Sequence, residues 1–271
     1  MYPHLVFSAT TREPYFILDK PAGLPSAPRN AGDTALSAVS WLAERFPAIT
    51  AVQGMREYEY GLLHRLDTAT RGLLLVAATQ ESFDALCLAQ RRGIFIKEYS
   101  AFCTTCSNAQ LPGFPPAPIP ADAHGAAGLR LPYIIESRFR PYGPRGSQVR
   151  PVDSGTGGYA AKKAAAPVYA TELVSLHKEG AVYAAVCRIA RGFRHQVRCH
   201  LAWIGFPVIG DTVYNACAQK QEPRALQFFA TKLQFPHPVT GKERIYAIDA
   251  HYVASGAAFS ASGGGSQYRR H

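Results

Sequence analysis

The chain has 271 residues, of which 47% are hydrophobic and 18% are charged, a composition that supports a sizeable core and disfavours wholesale disorder. Its 29 Lys and Arg against 19 Asp and Glu give a formal net charge of +10, which favours a polyanionic partner. No apolar run approaches the roughly 18 residues of a membrane-spanning helix, so no membrane partner is expected.

The N-terminus and the cysteines indicate a compartment. The first residues lack the charged leader and the long apolar stretch of a secretory signal, so a cytoplasmic protein is expected. Six scattered cysteines suit a reducing environment, in which they act as small buried hydrophobes. Cys103 and Cys106 have metal or redox spacing, but no second Cys or His pair follows at a zinc-site distance, so incidental thiols are expected.

In chain order, the first elements are a strand, a basic loop and a helix. Aromatic and β-branched residues at Tyr15–Leu18 predict a strand, and the turn formers at 20–25 predict a loop after it. Asp33 is expected to cap a helix over about residues 34–46, which Pro47 ends.

A polar stretch over 64–72, followed by an apolar run over 73–78, predicts a loop that leads into a buried strand. Asp67 lies just before that strand, where an acid is either a turn former or a reagent. Arg65 and Arg71 place two cations close to this carboxylate, which favours its ionised form and gathers phosphate-binding groups around it.

A capped helix and a strand follow. Thr79 is expected to cap a helix that runs to about Arg91, and residues 94–102 predict a strand. Lys97 and Tyr99 lie two positions apart on this strand and therefore share a face, where they could give a nucleotide charge and stacking.

Residues 107–167 are rich in Pro, Gly and Ala and contain one convincing strand, near 133–139. A long irregular insertion of this kind is usually functional or mobile. Its cations and interleaved aromatics suit contact with phosphates and unpaired bases, and a solvated surface loop is the alternative. The cations are Arg138, Arg140, Arg145, Arg150, Lys162 and Lys163.

Two strand-like runs over 168–174 and 181–189 predict a hairpin. A helix is expected over about 191–204, on which Arg191, Arg194 and Arg198 form one basic stripe.

The last predicted strands, over 227–235 and 244–248, form another antiparallel pair. Strands in hairpin order dominate, without the regular strand and helix alternation of a doubly wound fold. We therefore expect an α+β fold, with a mixed, largely antiparallel central sheet and flanking helices, in one domain over 1–254. A flexible tail is expected over 255–271.

Several reaction classes are disfavoured by missing motifs. The chain has no nucleoside triphosphate-binding Gly-x-x-x-x-Gly-Lys-Ser/Thr loop, no Gly-x-Ser-x-Gly elbow, no His-Glu-x-x-His and no zinc deaminase signature. His195 and His200 are five positions apart, so a helix would not present them as a pair. A solitary Asp among arginines remains, in a basic protein that contains aromatics.

The segment His64-Arg65-Leu66-Asp67, with Thr70, Gly72 and the apolar run behind it, resembles the signature of the RluA-like pseudouridine synthases. Four further segments match in the expected order, so that the resemblance spans about residues 15–250. They are Leu-Asp-Lys-Pro-Ala-Gly-Leu at 18–24, Lys-Glu-Tyr-Ser-Ala at 97–101, Gly192 through Gly210-Asp211, and Leu-Gln-Phe-Pro-His-Pro at 233–238.

The resemblance implies the isomerisation of specific uridines in structured ribosomal or transfer RNA to pseudouridine, without cofactor or metal. Asp67 takes the catalytic position, where its carboxylate either attacks the ribose or helps to remove a ribose proton. Tyr99 corresponds to the aromatic residue beneath the target base, and Arg198 to the basic partner of the Asp. The target nucleotide must be flipped out of a helix, at a cost of a few kcal/mol.

RNA contacts are expected around these residues. Arg65 is expected to occupy the space that the flipped base leaves or to hold the backbone, and His64 and His195 to orient loops without transferring protons. The chain has Arg71 where the family usually has Ser or Thr, and Phe193 where an Arg often follows the Gly, two departures that bear on RNA choice. The expected RNA-binding residues are Lys20, His64, Arg65, Arg71, Arg191, Arg194 and His195.

The arm before Tyr15 is too short for the accessory RNA-binding domain of some relatives. Recognition is therefore expected to rest on the catalytic domain, 1–254, and on its insertion. A monomer is the default. The alternatives are a non-catalytic RNA-binding or ribosome assembly protein on the same fold, and an acid–base hydrolase unrelated to RNA.

Overall fold

The computed structural model of the chain describes residues 1–105, 111–119, 128–216 and 224–249, and the backbone of 268–270. The chain divides into two compact units, Met1–Glu98 with Phe229–His271, and Tyr99–Phe228. In chain order the elements are β1 (His4–Phe7), β2 (Tyr15–Lys20), α1 (Ala38–Arg45), β3 (Arg71–Ala77), α2 (Gln80–Arg91), β4 (Ile96–Cys103), β5 (Tyr133–Tyr142), β6 (Gln148–Val152), α3 (Gly158–Lys162), β7 (Tyr169–Glu179), β8 (Val182–Ile189), α4 (Gln196–Trp203), β9 (Phe228–Pro236), β10 (Glu243–Ile248) and β11 (Tyr268–Arg270).

The first unit has its strands in the order β1, β2, β3, β9 and β10. All neighbours are antiparallel except β3 and β9, which pair in parallel where Arg71 and Gly72 face Phe229 and Ala230. Every residue of β2 is buried, and so is every residue of β3 after Arg71, which explains their nearly unbroken apolar sequences. The register sets Lys20 opposite Gly72, so the end of β2 lies beside the beginning of β3.

The second unit has its strands in the order β4, β8, β7, β5 and β6. The pairs β7–β8, β5–β7 and β5–β6 are all antiparallel. The buried helix α4 packs on this unit, and its Cys199 and Ala202 join Phe139, Val149 and Tyr214 in one apolar cluster. The predicted hairpin and the α+β class with a largely antiparallel sheet are both confirmed.

Helix α2 confirms its prediction, because the Thr79 hydroxyl accepts from the Ser82 N–H and Ser82 returns a bond to the Thr79 N–H. The predicted cap of α1 is wrong: Ser37 caps this helix, through the same reciprocal pattern with Ser40. Asp33 instead accepts bonds from Arg29 and from the Ala35 N–H within a turn.

Helix α4 is shorter than predicted, because it begins at Gln196 rather than at about residue 191. His195 adopts a left-handed conformation (φ 57°), and the Gln196 side chain accepts a bond from the Phe193 N–H, so the preceding residues form a turn. Arg191 and Arg194 therefore lie outside the helix that carries Arg198. The predicted stripe of three arginines on one helical face is wrong.

The 107–167 stretch is more regular than its composition predicts. Strand β5 extends to Tyr142, and β6 and the short α3, which were not predicted, also lie in this stretch. Arg150, expected as a flexible phosphate contact, is buried and lies over the Tyr142 and Phe114 rings at 4.1 and 4.9 Å. Residues 107–110 and 120–127 lie outside the described residues.

The C-terminal strand pair is confirmed, because β9 and β10 are antiparallel. Of the tail expected over 255–271, the structure describes only Tyr268–Arg270, which pair with β10 as β11. The other residues of the predicted flexible tail, 255–267 and 271, lie outside the described residues, so their flexibility stays a prediction.

Gly72 generates the first prediction. A Cβ at this position would lie 2.2 Å from the Ala230 carbonyl oxygen, and φ is +136°. Gly72→Ala should therefore lower the free energy of unfolding by about 3 kcal/mol. Urea denaturation measures this loss. Gly32→Ala is the matched control, because a Cβ there meets only one atom, at 3.6 Å, and should change stability little.

His200 generates the second prediction. Its ring bonds to the Ser137 and Thr171 hydroxyls at 2.9 Å each, and burial lowers its pKa to about 3. Below pH 6.5 the unfolded state binds a proton that the folded state does not, so stability falls with falling pH, by up to about 1.4 kcal/mol per unit. Between pH 6.5 and 5, His200→Gln should show a shallower loss than the wild type. His177→Gln, at an exposed position of β7, should keep the wild-type slope.

Candidate active site

The loop that carries Asp67 is held by Lys20 at the end of β2. The Lys20 side chain is fully buried, and its Nζ donates to the carbonyl oxygens of Pro21 at 2.9 Å, Leu24 at 2.7 Å and Thr68 at 3.3 Å. The Gly23 N–H donates to the same Thr68 carbonyl at 2.8 Å. The backbone directly after Asp67 is thereby bonded to the 20–24 turn.

The backbone directly before Asp67 is held as well. The Ser26 hydroxyl accepts from the Leu66 N–H and donates to the Leu66 carbonyl, both at 2.9 Å. Within the loop, the Thr70 N–H donates to the Asp67 carbonyl at 2.9 Å. The Asp67 side chain stays partly exposed. Asp67 is therefore a partly exposed residue on a backbone that is hydrogen-bonded on both sides.

Lys20 also supplies a nearby positive charge. Burial lowers its pKa to about 8, and the charges of Asp67 and Asp19 oppose that shift. At pH 7 the ammonium is therefore mostly protonated and electrostatically coupled to Asp67. This geometry does not favour the predicted contact of Lys20 with RNA, because its Nζ donates to backbone carbonyls inside the protein.

The two arginines that flank Asp67 differ in their surroundings. Arg65 pairs with the buried Glu59 at 3.0 Å, but 56% of its side chain is exposed. Arg71 pairs with the buried Asp19 at 3.0 Å, and only 20% of its side chain is exposed. Arg65 is therefore the one that presents its guanidinium to solvent, whereas Arg71 turns toward the protein.

His64 is turned toward β3. Its Nε2 accepts a bond from the Leu75 N–H at 3.3 Å, and its ring meets Phe95 edge-on, with centroids 5.6 Å apart. Burial and, to a smaller extent, the charge of Lys97 lower the pKa of His64 to about 3. A neutral imidazole anchored to β3 fits the predicted loop-orienting role.

In the second unit, the key ion pair joins Arg198 to Asp211. Arg198 Nε and Nη2 donate to the two carboxylate oxygens at 2.8 and 2.7 Å, and both side chains are buried. Asp211 also accepts from the N–H groups of Val213 and Tyr214. The pairing fixes the plane of the guanidinium. In the sequence, Gly210-Asp211 matches the family only as part of a segment, and an acid at the start of a turn is the signal for its role.

Tyr99 is buried, and its ring stacks on Phe228, with centroids 5.1 Å apart and planes 4° apart. Phe228 was not among the predicted site residues. Its place beside Tyr99 depends on the pairing of distant strands, so the local sequence carried no signal for it.

The remaining predicted residues lie near the start of α4. His195 Nδ1 bonds to the Tyr214 hydroxyl at 3.1 Å. Arg194 donates to the carbonyls of Gly146 and Gln148, which ties the turn before α4 to the β5–β6 ribbon. Arg191 is exposed. Arg194 is exposed as well.

Within the described ranges, no three His, Cys, Asp or Glu side chains come together as a metal site. Cys103 is buried, and Cys106 lies outside those ranges. No helix in the described part of the chain is both long and apolar enough to cross a membrane.

Comparison with solved structures gives the same fold. The human RNA pseudouridylate synthase domain containing 1 matches with a TM-score of 0.59 and 18% identity, over 89% of this chain and 81% of that chain. The human protein RNA pseudouridylate synthase domain containing 4 also gives a TM-score of 0.59, at 16% identity, over 89% of this chain and 87% of that chain. At these identities the likeness shows the fold.

Sequence comparison reaches the family. A curated relative, the uncharacterized RNA pseudouridine synthase YjbO of Bacillus subtilis, is 28% identical over 183 residues, 66% of this chain and 51% of the relative. Ribosomal large subunit pseudouridine synthase D of Xylella fastidiosa is 28% identical over 75% of this chain and 50% of the relative. The dual-specificity RNA pseudouridine synthase RluA of Yersinia pestis is 26% identical over 87% and 95%.

The chain thus spans about half the length of the first two relatives. The sequence model of the RNA pseudouridylate synthase family matches residues 14–203, which include β2, the Asp67 loop, Tyr99 and α4. The chain belongs to the RNA pseudouridylate synthase family, of the RluA-like kind.

Proposed function

We propose that this chain converts specific uridines of structured RNA to pseudouridine, with Asp67 as its catalytic carboxylate. The observation that carries the proposal is the geometry of the Asp67 loop: Leu66 and Thr68 are bonded to the 20–26 segment while the Asp67 side chain stays partly exposed. Attack on the ribose and removal of a ribose proton both need a carboxylate oxygen held in place before the substrate arrives. The hydrogen bonds on both sides of Asp67 hold the backbone of the loop in place before RNA binds.

The class of substrate is inferred from the net charge of the chain and from its sequence relatives. The net charge of +10 suits a polyanion, and Arg65 offers an exposed guanidinium two residues from Asp67. Relatives bear names that refer to the ribosomal large subunit or to dual specificity. We therefore infer a ribosomal or transfer RNA substrate, whose target nucleotide is flipped out for the reaction.

The roles of Tyr99 beneath the target base and of Arg198 as the basic partner of the catalytic acid stay predictions from the family resemblance. Two contacts support them. The stack of Tyr99 on Phe228 restricts the plane of the tyrosine ring, and the two bonds that Arg198 donates to Asp211 restrict its guanidinium. Side chains held in this way lose little rotamer freedom when a substrate binds.

The second candidate is an RNA-binding protein on the same fold that lacks turnover. It shares the basic charge and the exposed Arg65, and it differs from the enzyme only in the product. Pseudouridine itself therefore decides between the two.

The third prediction concerns Asp67. Purified protein incubated with total cellular RNA should form new pseudouridine, measured by mass spectrometry of digested RNA. Asp67→Asn should lower the rate by about 10³-fold or more, because an amide neither attacks the ribose nor removes a proton. RNA affinity should stay within about twofold, since the shape is retained. Asp84→Asn, the same change on the exposed side of α2, should leave the rate unchanged.

No new pseudouridine with any RNA would overturn the enzyme and favour the RNA-binding protein. An equal loss of affinity and rate in Asp67→Asn would make Asp67 a structural residue.

The fourth prediction concerns salt. RNA affinity should fall steeply with salt, because phosphate contacts release counterions. Arg65→Gln should make the slope of log affinity against log salt shallower by about 1. Arg45→Gln is the control, since that arginine lies over the Trp41 ring at 4.1 Å on α1. Affinity that does not respond to salt would favour a hydrolase unrelated to RNA.

A further inference from the structure

We propose that the Asp19–Arg71 ion pair positions the Asp67 loop for catalysis, so that Arg71 acts through Asp19 rather than through an RNA phosphate. The inference rests on the proposed function. It revises the expectation that Arg71 binds RNA, and it makes Asp19, which was not a predicted site residue, a positioning residue.

Two consecutive residues of β2 hold the two ends of the loop. Lys20 donates to the Thr68 carbonyl, one residue after Asp67, and Asp19 accepts from Arg71, the first residue of β3. Successive side chains of a strand point to opposite faces, so the two contacts approach the loop from different sides of the sheet. Residues 68–71 are thereby bounded at both ends by the same short piece of β2.

The Arg71 side chain starts from a fixed point. Its backbone pairs with Phe229 of β9, and the next residue, Gly72, lies so close to Ala230 that no Cβ fits. From there Nη2 reaches Asp19 Oδ2 at 3.0 Å, and Nε lies 3.5 Å from Oδ1. A guanidinium held from the backbone outward in this way is poorly placed to swing toward a phosphate.

Burial makes the loss of either partner of the Asp19–Arg71 pair costly. Only 6% of the Asp19 side chain and 20% of the Arg71 side chain are exposed. Removing one partner of such a pair leaves a buried charge uncompensated, a far larger cost than the loss of a surface ion pair. In the Arg65–Glu59 pair the carboxylate is buried to a similar degree, and the difference lies in the arginine, of which 56% of the side chain is exposed.

Asp19 also lies among further charges that bear on the site. His4 pairs with it across β1 and β2, and Asp19 raises the pKa of His4 against the dominant effect of burial, while Arg71 lowers it. Asp19 also raises the pKa of Lys20, against the lowering that burial causes. One carboxylate thus balances two cations, Lys20 and Arg71, that hold opposite ends of the same loop.

The fifth prediction compares Asp19→Asn, Arg71→Gln and the double variant by steady-state kinetics on an RNA substrate. Each single change should lower kcat by about 10-fold, because a displaced catalytic group slows the reaction, and should leave KM within about twofold. The double variant should lose less than the product of the two single effects, since it removes both charges of the pair rather than leaving one of them without the other. Asp33→Asn is the control. It removes a different ion pair, that of Asp33 with Arg29 (2.9 Å), and should match the wild type.

The opposite pattern would overturn the proposal. If Arg71 contacts a phosphate, Arg71→Gln should raise KM about 10-fold and make the salt slope shallower by about 1, and Asp19→Asn should tighten RNA binding by releasing the arginine. Multiplicative effects in the double variant would also contradict it.

A readout independent of activity separates this proposal from the proposed function. Asp19→Asn should speed hydrogen exchange at the Thr70 amide, which donates to the Asp67 carbonyl, and Asp33→Asn should not. Unchanged exchange in Asp19→Asn would refute the positioning role. Faster exchange in a protein whose wild type forms no pseudouridine would refute the proposed function and keep the pair as a structural support of the loop.

Discussion

The structure of the candidate site depends on one buried ammonium. A buried charge without partners is costly, and Lys20 is tolerated because three backbone carbonyls accept from it. Two of these carbonyls belong to the 20–24 turn and the third to Thr68, so the turn and the Asp67 loop must lie together for the charge to be satisfied. The next two residues, Pro25 and Ser26, accept hydrogen bonds from the first N–H groups of α1, those of Ala38 and Val39. One short turn therefore organises the start of a helix and the loop of the catalytic candidate.

Three buried acids of this basic protein each pair with an arginine. Glu59 holds Arg65, Asp19 holds Arg71 and Asp211 holds Arg198, and in each case the carboxylate is buried. An arginine paired with a buried acid keeps a defined orientation, which a solvent-exposed arginine does not. What differs among the three is the exposure of the guanidinium. The exposed fraction of the side chain is 56% for Arg65, 20% for Arg71 and 7% for Arg198.

Local patterns predicted much of the fold. The apolar runs of β2 and β3, the cap of α2 at Thr79 and the hairpin of β7 and β8 follow from neighbouring residues, and all three are confirmed. The errors arose where one local contact replaced another that the sequence also allowed. Ser37 caps α1 while Asp33 is occupied by Arg29, and the Gln196 side chain closes a turn where a helix was expected.

The sequence by itself determined the family, the loop before a buried strand that carries Asp67, and the positive charge that favours a polyanionic partner, because these depend on residue types and spacings along the chain. Only the tertiary structure decided what each cation does. Lys20, Arg65 and Arg71 are alike in charge and lie close to Asp67, yet one is buried among carbonyls, one faces solvent and one pairs with Asp19. Burial and ion pairing depend on partners brought together by strand pairing, and no local pattern encodes them.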